Sequence, residues 1–171
     1  GISMTSGRRL GPRTGRIETF TSIDHVEDAF SKQLKAAVVL KVSYDKAARR
    51  VFARYCPVIF TSLVMDDCIA KGKDFHQGGA RYNAPMLCGV GLGTLADSLA
   101  AINENCFVKK NYTLAQLREA LLDNFTSHPL MRRQLNRKSP KFGNNDDRAD
   151  HWAALAVTTF CDILDTHVNE Y

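Results

Sequence analysis

The sequence predicts a mostly α-helical segment with one short strand or a few. Three observations carry this. Apolar residues recur every three or four positions through most of the chain, which is the period of one helix face. Helix-start signals stand where those faces begin, among them Thr113 with Gln116 three positions later, a capping box. Five glycines crowd into residues 74–93, which leaves room only for a short extended piece at 86–92.

Taken in order, residues 1–20 read as loop, because Gly7, Gly11, Pro12 and Gly15 with repeated Ser and Thr leave no apolar period. Such a segment has to lie on something else. Residues 21–171 read as mainly helical. Ile23, Val26, Phe30 and Leu34 open an apolar face, with Ser22 or Thr21 as cap and Asp24, Glu27 and Asp28 at its positive end. The pattern runs on through Val38, Leu40, Val42, Ala47, Val51, Phe52 and Tyr55, as one long helix or as two with a break near Ser43. After Pro57, residues 58–70 are apolar nearly all round and end in Lys71 and Gly72, a C-cap. A helix apolar on most sides belongs in the middle of a larger body.

Leu95, Leu99 and Ile102 begin the next helix, with Thr94 as its cap and Asp97 at the third position. The capping box at Thr113 starts a helix over 114–124, Ser127 caps a short one through Leu135, and Asp146 or Asp147 opens the last. Trp152, Leu155, Val157, Phe160, Ile163 and Leu164 form the apolar side of that last helix. There is no internal repeat and no low-complexity stretch.

Composition narrows the function classes. With 171 residues, 44% hydrophobic and 24% charged, the chain is neither a disordered tail nor a fibre. No apolar run approaches the roughly 18 residues of a membrane span, and residues 1–5 lack the shape of a signal peptide. Five cysteines without a C-x-x-C pair argue against a disulfide framework and against a zinc site, and a reducing cytoplasm fits them. The net charge of +5 is mild. Its basic residues gather at Arg8, Arg9, Arg13 and Arg16 and at Arg132, Arg133, Arg137, Lys138 and Lys141, without the dense stripe or reading motif of a nucleic-acid protein.

The chemistry-bearing residues assemble no complete catalytic constellation. Gly89, Gly91 and Gly93 before a helix invite a phosphate-loop reading, but their spacing is not G-x-G-x-x-G and no Walker lysine follows, so tight turns and close packing explain them better. His76 could act as a general base, but no carboxylate stands beside it in the pattern of a relay. Cys56, Cys68, Cys106 and Cys161 sit in apolar helical contexts, and Cys88 lies in the glycine-rich segment without a positive neighbour to activate it. Asp66 and Asp67 point about 100° apart on a helix, which suits ion pairing or capping better than a shared site. Asn144, Asn145, Asp146 and Asp147 resemble a calcium loop in composition alone.

At several separate places the chain is similar to the pyruvate formate-lyase-like glycyl radical enzymes. The residues that carry the resemblance are 66–74, Gly78-Gly79-Ala80-Arg81-Tyr82-Asn83, Gly89 with Gly91, 96–102, 139–147 and Gly11-Pro12-Arg13-Thr14-Gly15, all in the family's order. The resemblance implies a large anaerobic enzyme on a ten-stranded α/β barrel, of which this chain is an internal segment. In such an enzyme a glycyl radical on one loop oxidises a cysteine on a second, and the thiyl radical starts reaction on a small-molecule substrate. A partner enzyme using S-adenosylmethionine and an iron–sulfur cluster installs the radical. The family also implies a homodimer of the full-length protein.

The family's catalytic loop, Gly-Cys-x-Glu or Cys-Cys, and its Arg-Val-x-Gly radical loop do not occur in these residues. By order the first is expected before Gly1 and the second after Tyr171, so no catalytic residue, cofactor or metal is assigned within the segment. The reading is a dehydratase-like or other lyase, with formate acetyltransferase as the alternative within the family. A non-catalytic helical interaction or regulatory module is the alternative of another class. Many dehydratase relatives continue after the Asn83 position with a polar Gly-Pro-Gln stretch, where this chain has Ala84-Pro85-Met86-Leu87-Cys88. Asn83, Met86, Leu87 and Cys88 are therefore the candidate substrate-pocket residues, and they make a more apolar wall if they line a cavity. Otherwise Met86 and Leu87 pack against neighbouring helices.

Overall fold

The computed structural model describes residues 2–3, 5–83 and 86–167. Seven α-helices run in order through the described residues: α1 Ile23–Tyr55, α2 Ile59–Val64, α3 Cys68–Lys71, α4 Leu92–Ile102, α5 Leu114–Leu122, α6 Pro129–Lys138 and α7 Asp147–Asp165. No strand occurs among the described residues, and the extended pairing is confined to an isolated antiparallel bridge between Ile2 and Arg9. The short strand expected at 86–92 is absent: residues 86–91 have no ladder partner, and Leu92 already belongs to α4.

The long apolar pattern forms one helix without a break. Ser43 sits within it, its hydroxyl donating back to the Val39 carbonyl at 2.9 Å, so the turn stays closed. The expected helix over 58–70 is instead two short ones. The chain turns at Met65 and Asp66, and Asp67 takes a left-handed conformation (φ 74°) before α3, which Gly72 ends as its C-cap.

Other boundaries also differ by a few residues. Gly91 in the left-handed region (φ 94°) precedes α4, so the helix starts three residues earlier than a Thr94 cap allows. Pro129 opens α6 at the first position, where its missing N–H costs nothing, and the Ser127 amide donates instead to Asp123. The capping box at Thr113 and Gln116 is formed, and Asp146 caps α7 by accepting the Arg148 amide at 3.1 Å.

The core lies in the C-terminal half. Ala96 and Ala100 on α4 face Ala149 and Ala153 on α7, and these small side chains, each pair four residues apart, let the helices approach closely. Leu99 and Trp152 fill the space beside them, with Ile23 and Val26 of α1 packed on the edge. A second cluster joins α5 and α6 through Leu117, Ala120, Met131 and Leu135. Between α4 and α5 the chain passes through a π-helical stretch, Asn103–Val108, around the buried Asn105. The Asn105 amide donates to the Ala101 carbonyl and to the Ser139 hydroxyl (2.9 and 3.0 Å) and its oxygen accepts from Asn111. The N-terminal loop lies partly on α1, where Gln33 donates to the Pro12 carbonyl at 2.8 Å.

Candidate functional site

The segment that carries the candidate pocket residues is pinned from below by α1 and α2. Asp74 is its main anchor. One carboxylate oxygen accepts the Ser62 hydroxyl at 2.7 Å and the Val58 amide at 2.9 Å, and the other accepts the His76 amide at 2.9 Å. The Phe75 amide donates to the Ser62 hydroxyl at 3.0 Å. Partial desolvation opposes ionisation of Asp74, but the bonds from Ser62, His76 and Val58 outweigh it and hold the carboxyl below its usual range. The α2 start, which has no side-chain cap of its own, is thereby tied to a residue sixteen positions downstream.

Gly79 sits where nothing larger fits. A Cβ there would stand 2.1 Å from the Lys73 carbonyl oxygen, while its amide donates to the Asp74 carbonyl at 3.1 Å. Beyond it the Arg81 amide donates to the Asp66 carbonyl at 3.0 Å, and its guanidinium reaches Asp67 at 2.8 Å. Asp67 is lowered in pKa first by this bond to Arg81, and Lys71 adds to it at 3.8 Å. The two adjacent aspartates thus serve ion pairing with Arg81 and the turn into α3.

α1 supplies three further contacts from its last turns. Phe52 stacks on His76 with ring centroids 5.3 Å apart, and the Ala53 carbonyl accepts from Gln77 at 3.2 Å. Arg49 donates to the Asn83 side-chain oxygen at 2.9 Å, while the Asn83 amide donates to the Phe75 carbonyl at 2.8 Å. Asn83 is therefore held from both sides as the post from which the next stretch departs. His76 is placed between Phe52 and Phe75.

Residues 84 and 85 of the candidate wall lie outside the described residues. Past them, Met86 and Cys88 are exposed and Leu87 is half-buried. Gly89 runs beside the Phe160 ring of α7, at 3.8 Å from where its Cβ would be, and Val90 is 94% exposed. The structure thus keeps Asn83 inside the anchored part and sends Met86 and Cys88 outward.

The remaining sequence candidates resolve structurally. The 139–147 loop is fastened to α4 and α7: Asp97 accepts the Phe142 amide at 2.8 Å and pairs with Lys141 at 3.4 Å, and Asp150 accepts the Gly143 amide at 3.3 Å. Asp97 therefore holds this loop rather than closing a cap with Thr94. Burial pushes the Cys106 thiol up, away from a reactive thiolate. Among the described residues no group of three or more His, Cys, Asp or Glu is placed to hold a metal ion. No helix among them is long and apolar enough to cross a membrane. Arg49 and Ser62 are not singled out by sequence reasoning, and Asp74 enters it only as the end of the 66–74 motif. Their one signal is local, an acidic residue just before a short Phe-His-Gln turn.

Comparison with known proteins places this architecture. The profile of the pyruvate formate lyase-like proteins matches residues 1–171, and the chain belongs to that family. The chain is 39% identical to trans-4-hydroxy-L-proline dehydratase from Clostridioides difficile, over 88% of this chain and 19% of that protein. It is 32% identical to (2S)-3-sulfopropanediol dehydratase from Klebsiella oxytoca, over 94% of this chain and 20% of that one. The crystal structure of hydroxyproline dehydratase from Clostridioides difficile, with trans-4-hydroxy-L-proline bound, superposes with a TM-score of 0.87 at 36% identity. That match covers 95% of this chain and 21% of the other. The chain spans about one-fifth of the length of these relatives.

Proposed function

We propose that this segment is an internal part of a glycyl radical lyase that dehydrates a small hydroxylated substrate, and that it is inactive alone. The observation that carries the reading is the likeness to hydroxyproline dehydratase, 36% identity at a TM-score of 0.87 over 95% of the segment. In the intact protein the segment joins a ten-stranded α/β barrel. The loop with the thiyl cysteine comes before Gly1 and the loop with the glycyl radical follows Tyr171. An activating enzyme with S-adenosylmethionine and an iron–sulfur cluster installs that radical in the cytoplasm, on a homodimer. The thiyl radical takes a hydrogen atom from the substrate, and residues 83–88 contribute a pocket wall through Asn83, Met86, Leu87 and Cys88.

The test is turnover by the full-length enzyme, activated anaerobically by its partner. It is offered vicinal diols and trans-4-hydroxy-L-proline in one arm, and pyruvate with coenzyme A in the other. Loss of water from a hydroxylated substrate is the expected result. Formation of acetyl-coenzyme A and formate would overturn the dehydratase reading in favour of an acetyltransferase.

A further inference from the structure

We propose that the arginine face of α6 binds a small organic polyphosphate, a molecule with the size and charge of a nucleoside diphosphate. Arg132, Arg133 and Arg137 line one open cleft of about 500 Å³ together with Asn136, Phe125 and Pro129. The cleft shares no residue with the candidate wall at 83–88, and the proposal stands whichever reaction the enzyme runs.

The charge in this cleft is unanswered from within the segment. Other guanidinium groups of the chain are met by acceptors: Arg49 by Asn83, Arg81 by Asp67 and Arg148 by Asp146. The side chains of Arg132, Arg133 and Arg137 make no hydrogen bond and no ion pair among the described residues. Among those residues no carboxylate lines the cleft. Asp123, next to the cleft in sequence, is turned elsewhere: its Oδ2 accepts the Ser127 amide at 3.0 Å and stands 3.7 Å from His128 Nδ1. Like charges gathered around one concave surface repel one another, and a bound anion turns that repulsion into attraction.

The helix sets the positions of these groups. Met131 and Leu135 are the buried residues of α6 and belong to the cluster it shares with α5. Arg133 and Arg137 each follow two positions later, about 200° round the helix, so they stand on the opposite side. Arg132 and Asn136, again four apart, run beside them. α6 starts without a side-chain cap, and Pro129 at its first position borders the cleft, so the positive helix end adds to the field of the arginines.

The same geometry selects among anions. Guanidinium forks match phosphate oxygens two at a time, and three of them suit linked phosphoryl groups better than a single carboxylate. The volume lies within the roughly 300–1,000 Å³ of small-molecule sites, and Phe125 and Pro129 give the organic part an apolar wall that an inorganic ion leaves unused.

Titration calorimetry of the full-length enzyme in its unactivated form, at low salt, tests the site with adenosine diphosphate (ADP) as the probe. ADP is expected to bind once per chain, at least about tenfold more tightly than inorganic phosphate. Arg133→Gln should weaken ADP by about tenfold or more, and Arg137→Gln serves if the first variant does not fold. Arg133→Lys, which keeps the charge without the fork, should fall between the two. Arg8→Gln, in the other basic cluster, should leave binding unchanged. Absence of ADP binding would overturn the proposal, and so would binding that the α6 variants leave intact or that Arg8→Gln weakens equally. Equal affinity for ADP and phosphate would overturn the choice of an organic polyphosphate. A poly-glutamate peptide that binds where ADP does not would assign the face to an acidic protein surface and overturn it as well.

Discussion

Asp74→Ala in the full-length enzyme is the most informative single change. It removes the acceptor of the Ser62 hydroxyl and of the Val58 and His76 amides, all within 2.9 Å. Hydrogen bonds to a charged group contribute about 1.5–3 kcal/mol each when buried. The site is half-exposed, so water replaces part of the loss, and the expected net cost of opening this region falls by about 3 kcal/mol in total, roughly a hundredfold. The assay is hydrogen exchange read at the Val58 and His76 amides, with α7 amides as an internal reference. Both amides should exchange about a hundredfold faster while α7 is unchanged. The carboxyl's folded pKa lies below its ordinary value of 3.8, so the ionised form is the stabilising one. Its contribution is complete above the unfolded pKa and is lost as pH falls through the lowered folded value. Protection, corrected for intrinsic exchange, should therefore stay level from neutral pH down to about 4 and decline below it. Unchanged exchange at Val58 in the variant would refute the anchoring role.

Three further outcomes are expected. Gly79→Ala forces a Cβ to within 2.1 Å of the Lys73 carbonyl, so the turn must rearrange, and thermal unfolding of the full-length enzyme should show a loss of at least about 2 kcal/mol. Ala100→Leu overfills the contact between α4 and α7, where Ala100 is 1% exposed, and should cost about 3 kcal/mol by denaturant titration. Removing one Asn83 bond by Arg49→Gln and the other partner by Asn83→Ala should give non-additive losses, with a coupling near 1 kcal/mol in a double-mutant cycle.

What the sequence made legible was local. The capping box at Thr113 and Gln116 needs only four adjacent residues, so it could be read directly. The helix over 58–70 failed for a different reason. Its pattern is continuous, but the break depends on Asp67 in the left-handed region and on Arg81, fourteen positions away. The same holds for Asp97, which looked like a cap residue and instead holds Phe142, forty-five positions on. Arg49 and Asn83 meet across thirty-four positions. Local windows contain none of these partners, and hydrogen bonds outside regular helices leave no period to detect. The strand expected at 86–92 failed because an extended piece becomes a strand only beside a partner, and no described residue supplies one.

The two halves of the segment are stabilised in different ways, and this bears on the candidate site. α4 and α7 bury their own core, so their geometry is set by side chains within the segment. α1 beyond Val38 and α2 bury almost nothing, and polar contacts of Asp74, Arg49 and Arg81 hold them to the loop. Directional bonds fix shape without needing a large apolar core, whereas burial supplies most of the stabilisation energy. Asn83 is therefore held locally, by its bonds to Arg49 and Phe75, and Gly91 in the left-handed region sets the start of α4. Between the two, Met86 and Cys88 are exposed. On the proposed reading of Asn83, Met86, Leu87 and Cys88 as a pocket wall, the exposed side chains of Met86 and Cys88 are covered by another part of the enzyme.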